Sequence, residues 1–211
     1  MTKCAFATTG MPDQTIRNDE NARADRRTLA MALVANVVMF VVGLVGWRVA
    51  HSAALLADAL DMLADASGHA VASLAVGRSQ RLQRAAARWN GSMLIALGVG
   101  VFVEIANRWS GGAEPHGGWI MLFACLSLLA NGVVLYSLRR YRQSPELHLR
   151  ATWVDTRADV LVNVGVLVSG ALVALSGYRI VDMLAGTIVA AFVIHEGWEL
   201  CEEREASEEP R

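Results

Sequence analysis

The chain has few charged residues, which make up only 18% of its 211 residues. Soluble domains average about 25% charged and about 45–50% apolar residues, whereas this chain is 54% hydrophobic. Lysine is nearly absent, and Lys3 is the only one. The 19 Lys and Arg residues oppose 20 Asp and Glu residues, so the net charge is −1. That balance excludes a generally basic nucleic-acid-binding protein.

Cysteine and proline are also scarce, and each scarcity argues against a class of protein. The three cysteines, Cys4, Cys125 and Cys201, lie far apart, which excludes a disulfide framework and the clustered spacing of a zinc finger. Four prolines and long apolar runs argue against a disordered chain. The sequence also has no dinucleotide fingerprint, phosphate-binding loop or nucleophile elbow. The composition therefore predicts one domain that is embedded in a lipid membrane.

Six long apolar segments dominate the sequence, and each has about the 20 residues that a membrane-crossing helix needs. The second and fifth segments are interrupted by acidic residues, but their Ala, Val and Leu content and their lack of proline still favour helix. The sequence therefore predicts an all-α integral membrane protein with six transmembrane helices. The predicted spans are residues 28–49, 53–77, 89–107, 118–138, 149–175 and 180–200.

Basic residues alternate between the connections of these spans, and the alternation predicts their orientation. The segment before the first span and the connections after the second and fourth are rich in arginine, whereas the other connections hold only Arg48, Arg108 and Arg179. By the positive-inside rule, the N- and C-termini are both predicted to be cytoplasmic. A soluble helical bundle with basic loops is the alternative, but it does not explain why the bias alternates. The residues that carry the bias are Lys3, Arg17, Arg23, Arg26, Arg27, Arg78, Arg81, Arg84, Arg88, Arg139, Arg140, Arg142 and Arg150.

Aspartates lie inside two of the predicted spans, where an ionised side chain near the bilayer centre costs roughly 2.5–3.5 kcal/mol. Asp61 and Asp65 are four residues apart in the second span, so they share one face of a helix. Asp155 and Asp159 repeat this spacing in the fifth span. Two such pairs facing each other would form a cage of four carboxylates, which a divalent cation would neutralise. Alternatively, these residues cap helices or pair with Arg157.

The two segments that contain these pairs resemble signatures of the cation diffusion facilitator family. Residues 51–65 read HSAALLADALDMLAD and residues 149–159 read LRATWVDTRAD, each ending in two candidate ligands four residues apart. The resemblance covers roughly residues 28–200. It implies six spans, usually a homodimer, and proton-coupled export of Zn²⁺ or a related divalent cation from the cytoplasm. The metal ligands that it implies are Asp61, Asp65, Asp155 and Asp159.

The chain departs from the family pattern in two ways. All four ligands are Asp where many zinc-transporting members have one or two His, and an all-oxygen site also suits Mn²⁺ and Fe²⁺. Most members continue after the sixth span into a cytoplasmic metal-binding domain, so a short member lacking that C-terminal domain is expected. The expected organisation is a flexible cytoplasmic N-terminal tail at 1–27, a six-helix transmembrane cation-transport domain at 28–200 and a short acidic cytoplasmic tail at 201–211.

The charge of the four-carboxylate site predicts a mechanism. Four buried carboxylates cannot all stay ionised without a counter-charge, so cation binding releases protons and protonation releases the cation. Coupled to alternating access, this exchange predicts a metal/proton antiporter and not an enzyme. No cofactor is expected, because the divalent cation is cargo. Zn²⁺ is the first choice, and Mn²⁺, Fe²⁺, Co²⁺ and Cd²⁺ are the alternatives.

The expected partners are divalent metal ions, protons, the lipid bilayer of the plasma (bacterial inner) membrane and a second copy of the chain, with no nucleic acid. Two other classes of function stay open at this point. The protein could be an intramembrane metalloenzyme, which would need a catalytic water and a general base, or a non-transporting membrane subunit. Cation-dependent proton flux by the protein alone would separate the transporter from both.

Overall fold

The computed structural model describes residues 11–75, 80–109, 111, 113–143 and 147–202, and these residues are almost entirely helical with no β-strand among them. A short 3-10 turn, Arg139–Tyr141, follows the fourth of six long helices. This architecture is the all-α fold class that the sequence predicts. The helices are α1 (Met11–Ala50), α2 (Ala53–Ala75), α3 (Gln80–Trp109), α4 (Gly117–Leu138), α5 (Leu147–Ser176) and α6 (Arg179–Glu202).

The helix α1 begins at Met11, well before the first predicted span. Residues 11–27 were expected to belong to the flexible N-terminal tail, but they are helical. Pro12 suits the first turn of a helix, where its missing N–H would be unpaired in any case. The Ala, Arg, Glu and Gln residues that follow favour helix by propensity, even without an apolar period. The remainder of the predicted tails, 1–10 and 203–211, lies outside the described residues.

Five of the helices within the described residues are long and apolar enough to cross a membrane, and α2 is the exception. The helix α2 carries Asp58, Asp61 and Asp65, which lower its hydropathy. It contacts each of the other five helices, and none of its residues from 53 to 66 is exposed. The surrounding helices therefore shield the acidic helix, while their own large apolar side chains, such as Leu129, face outward.

A two-residue turn between α1 and α2 fixes the start of the acidic helix. His51 has a left-handed backbone with φ of 49°, which His adopts more readily than most residues other than glycine. The Leu55 N–H donates to Ser52 Oγ at 3.1 Å, as expected of an N-cap. Asp182 of α6 adds a second cap, because it accepts hydrogen bonds from the Ser52 hydroxyl and from the Ala53 N–H. The start of α2 is thus joined to α6.

Small residues let the helices pack closely. A Cβ added to Gly117 of α4 would lie 2.4 Å from the backbone nitrogen of Ala174 in α5. A Cβ added to Gly186 of α6 would lie 2.9 Å from the carbonyl carbon of Ala53 in α2. Close backbone approach at small residues is the usual way in which transmembrane helices associate. These contacts hold α5 against α4 and α6 against α2, the helix on which the candidate site depends.

Candidate metal site

Contact between α2 and α5 brings three of the predicted ligands together inside the bundle. Asp61 and Asp159 are buried, with 1% and 4% of their surface exposed, and Asp65 is half-buried. The carboxyl groups of Asp65 and Asp159 lie close enough to interact with each other. Asp61 interacts electrostatically with both. The structure therefore places carboxyl groups from both motifs in one group, which we term the carboxyl cluster.

The fourth predicted ligand, Asp155, lies at the edge of the carboxyl cluster. It is exposed and sits one turn nearer the start of α5 than Asp159, but it still interacts electrostatically with Asp65. Among the residues that the structure describes, no three His, Cys, Asp or Glu side chains are grouped tightly enough to hold a metal ion. The cluster is thus a set of neighbouring carboxyl groups without a closed coordination shell, and metal ligation by all four residues stays a prediction.

Two carboxyl oxygens of the cluster are buried without a hydrogen-bond partner, namely Oδ2 of Asp61 and Oδ2 of Asp159. Buried charged groups are normally paired or coordinate a metal, because desolvation without a partner is costly. Arg157, the partner considered in the sequence, is exposed, and its guanidinium carbon lies 5.8 Å from the centre of the Trp153 ring. The two open oxygens are acceptor positions that a cation or a proton can fill.

Amide side chains position parts of the carboxyl cluster. The Nδ2 group of Asn36 in α1 donates a hydrogen bond to Oδ2 of Asp65 at 3.2 Å. The Nδ2 group of Asn163 in α5 donates to the backbone carbonyl of Asp159 at 2.7 Å. The first of these hydrogen bonds is of the kind that orients a metal-ligating carboxylate, whereas the second is made to the backbone of α5. The helix α1 therefore contributes to the site although none of the predicted ligands lies on it.

Glu196 of α6 is a fifth carboxyl group beside the cluster, and the sequence reasoning missed it. It is half-buried and interacts electrostatically with Asp65 and Asp155. Asp61 and Asp159 also interact with it. A signal was present, because Glu196 lies inside the predicted span 180–200. A charged residue within an apolar span is the same signal that identified the Asp pairs.

Two other acidic residues within the spans have partners away from the cluster. Glu104 of α3 forms an ion pair with Arg108 at 2.9 Å, and the Arg108 guanidinium also donates to the His51 carbonyl at the α1–α2 turn. Asp58 is buried one turn before Asp61, where it accepts a hydrogen bond from the Ser127 hydroxyl at 3.4 Å. These contacts join helices at the end of the bundle near the start of α2.

Comparison with known proteins shows that most of the chain matches a known family of transmembrane domains. The family model described as "Cation efflux transmembrane domain" matches residues 29–204. The chain is 24% identical over 192 residues to "Zinc transporter ZitB" of Yersinia pestis and 28% identical over 194 residues to "Zinc transporter ZitB" of Escherichia coli (strain K12). It is 23% identical over 194 residues to the "Cadmium, cobalt and zinc/H(+)-K(+) antiporter" of Bacillus subtilis (strain 168).

These three alignments cover 85%, 86% and 86% of this chain, in the same order. They cover 62%, 61% and 62% of the three relatives. The chain therefore spans less than two thirds of the length of the curated relatives that it matches. The shared region includes the carboxyl cluster, because the family match runs from residue 29 to residue 204.

Proposed function

The chain belongs to the cation efflux family and is a multi-pass membrane protein, and from this membership we propose that it exports a divalent cation, foremost Zn²⁺, from the cytoplasm in exchange for protons. The relatives' names support a metal ion as cargo, since they specify zinc for ZitB and cadmium, cobalt and zinc for the antiporter. The name of the Bacillus subtilis relative also supports exchange against protons.

The observation that carries the proposal is the carboxyl cluster between α2 and α5. The residues that would hold the cation are Asp61, Asp65, Asp155 and Asp159. Carboxylate oxygens are ligands that divalent cations accept, and the open oxygens of Asp61 and Asp159 are available acceptors. Because all four side chains offer oxygen only, the site discriminates less strongly for zinc than one that contains imidazole. Mn²⁺, Fe²⁺, Co²⁺ and Cd²⁺ are therefore expected to compete.

Protons and cations compete for the same oxygens. Neighbouring buried carboxyl groups such as those of Asp65 and Asp159 cannot all stay ionised without a counter-charge, so the site retains a proton when no cation is bound. Binding of a cation displaces this proton, and protonation from the opposite side of the membrane releases the cation. Alternating access of the site to the two sides turns this competition into antiport.

The orientation of the bundle sets the direction of transport. The alternating arginine bias supports cytoplasmic termini, and the bacterial relatives support the inner membrane as the location. In this orientation the end of α2, the start of α5 and the end of α6 face the cytoplasm. Asp65 and Asp155 then lie on the cytoplasmic side of Asp61 and Asp159. A homodimer is proposed from the family resemblance.

Reconstitution of the purified chain in liposomes tests the proposed function. The readouts are Zn²⁺ uptake, measured with an enclosed fluorescent chelator, and Zn²⁺-dependent proton flux in the opposite direction. Asp159→Asn conserves size and removes a charge from the carboxyl cluster, so we expect it to abolish both fluxes. Glu114→Gln is the matched control, because Glu114 is an exposed residue between α3 and α4. A wild type without metal-coupled proton flux, or an Asp159→Asn variant with normal flux, would contradict the proposal.

A further inference from the structure

We propose that Glu196 of α6 is a further ligand of the transported cation, which it captures at the mouth of the carboxyl cluster beside Asp65 and Asp155. The inference rests on the proposed transport function. It adds a residue of α6 to a site whose predicted ligands all lie on α2 and α5. The cation would pass from this outer position to the buried residues Asp61 and Asp159.

The packing of α6 places Glu196 at the level of the carboxyl cluster. The helix α6 contacts α2, α3 and α5, and its residue Val193 forms a small buried group with Ala64 of α2 and Leu94 of α3. Ala64 immediately precedes Asp65. Glu196 follows Val193 by three residues, so the two share one side of α6. This buried group places the turn of α6 that precedes Glu196 beside the part of α2 that precedes Asp65.

The residue after Glu196 fixes this part of α6 against α3. A Cβ added to Gly197 would lie 2.8 Å from the backbone oxygen of Gly91 and 3.0 Å from the Cβ of Leu94. The two helices thus pack backbone to backbone at this point. Glu196 therefore projects from a segment of α6 whose backbone packs closely against α3.

Burial increases from the mouth of the site towards its interior. Asp155 is exposed, Glu196 and Asp65 are half-buried, and Asp61 and Asp159 are buried. Glu196 interacts electrostatically with both Asp65 and Asp155. A divalent cation that keeps part of its water shell can bind first to these outer carboxylates and lose the remaining water deeper in the site. Glu196 is placed to act in the first of these steps.

A separate observation indicates that this cluster receives a ligand. The Oδ2 atoms of Asp61 and Asp159 are buried without a hydrogen-bond partner, and the two residues are only 1% and 4% exposed. Both interact electrostatically with Glu196. Placing a further carboxylate beside buried acidic groups costs free energy, unless a bound cation offsets the negative charge. Glu196 is therefore expected to strengthen cation binding.

The test compares Glu196→Gln with Glu199→Gln in the full chain. Glu199 lies three residues further along α6, is exposed, and has an Oε1 atom 3.3 Å from Nε2 of His195; it interacts electrostatically with Glu196, so it controls for the loss of an acidic charge near the mouth of the site. Zn²⁺ binding is measured by calorimetry in lipid nanodiscs, and Zn²⁺ transport in liposomes gives the half-saturating concentration and the maximal rate. We expect Glu196→Gln to raise the dissociation constant and the half-saturating concentration about tenfold, a difference of about 1.4 kcal/mol. The maximal rate should stay within about twofold of wild type, and Glu199→Gln should keep both the dissociation constant and the half-saturating concentration within about twofold of wild type.

Glu196→Asp separates charge from packing, because it keeps the carboxylate on a shorter side chain. We expect its half-saturating Zn²⁺ concentration to lie between those of wild type and Glu196→Gln. Equal values for the Asp and Gln variants, or a Glu196→Gln variant that binds and transports like Glu199→Gln, would overturn the role of Glu196. A wild type that neither binds nor transports Zn²⁺ would instead overturn the proposed function.

Discussion

Asp182 holds the start of α2, and its removal should destabilise the helix that carries Asp61 and Asp65. One of its carboxylate oxygens accepts a hydrogen bond from the Ala53 N–H at 2.7 Å, and the other accepts one from the Ser52 hydroxyl. Both donors belong to fully buried residues. Because a buried donor without a partner costs about 1–3 kcal/mol, we expect Asp182→Ala to lower the free energy of unfolding by about 3 kcal/mol.

Reversible unfolding in mixed detergent micelles measures this loss. The matched control is Ser137→Ala in α4, where the exposed hydroxyl donates to the Val133 carbonyl of the same helix at 2.9 Å. A surface change of that kind should alter stability by no more than about 0.5 kcal/mol. Asp182→Asn keeps one acceptor oxygen and should fall between the two. If Asp182→Ala unfolds with the same free energy as the control, Asp182 does not stabilise α2 in the way described.

Three further predictions concern selectivity, packing and topology. Asp155→His should raise the ratio of Zn²⁺ to Mn²⁺ uptake in competition assays, because imidazole nitrogen favours zinc, and an unchanged ratio would count against Asp155 as a ligand. Gly117→Ala should destabilise the protein, because its Cβ would lie 2.4 Å from an α5 backbone nitrogen. Gly132→Ala in the same helix meets nothing within 4 Å and should stabilise the protein by up to about 1 kcal/mol. Equal unfolding midpoints for the two variants would refute this packing. With the native cysteines replaced by serine, a cysteine that replaces Glu114 should be labelled from outside intact cells, and one that replaces Arg142 should not. The reverse labelling pattern would mean that the termini lie outside the cell and that the protein imports the cation.

The acidic helix α2 shows how sequence motifs and hydropathy can differ in what they predict. Hydropathy alone supports five spans among the described residues, but the length, the Ala, Val and Leu content and the family resemblance of the second segment predicted α2 as a sixth. The structure explains the difference, because α2 contacts all the other helices and its acidic residues face protein. A helix surrounded by protein does not need the uniform apolar surface that a lipid-facing helix needs.

Contacts between helices account for most of what the sequence did not predict. Spacing within one helix predicts which residues share a face, but it does not predict which faces of different helices meet. Asp182 and Ser52, which cap α2 together, are 130 residues apart in the chain. Glu196 became part of the candidate site only through the packing of α6 against α2 and α3. Residues 11–27 differ in kind, because their sequence has no apolar periodicity from which a helix could be predicted.

The position of a bound cation tests the central claim most directly. Crystals of the full chain grown with Zn²⁺ and measured at the zinc absorption edge would locate the metal by its anomalous scattering. The account predicts a peak between α2 and α5, with carboxylate oxygens of Asp61, Asp65, Asp155 and Asp159 about 2.0–2.2 Å from the ion. A zinc ion bound elsewhere in the bundle, with no peak between these two helices, would contradict it.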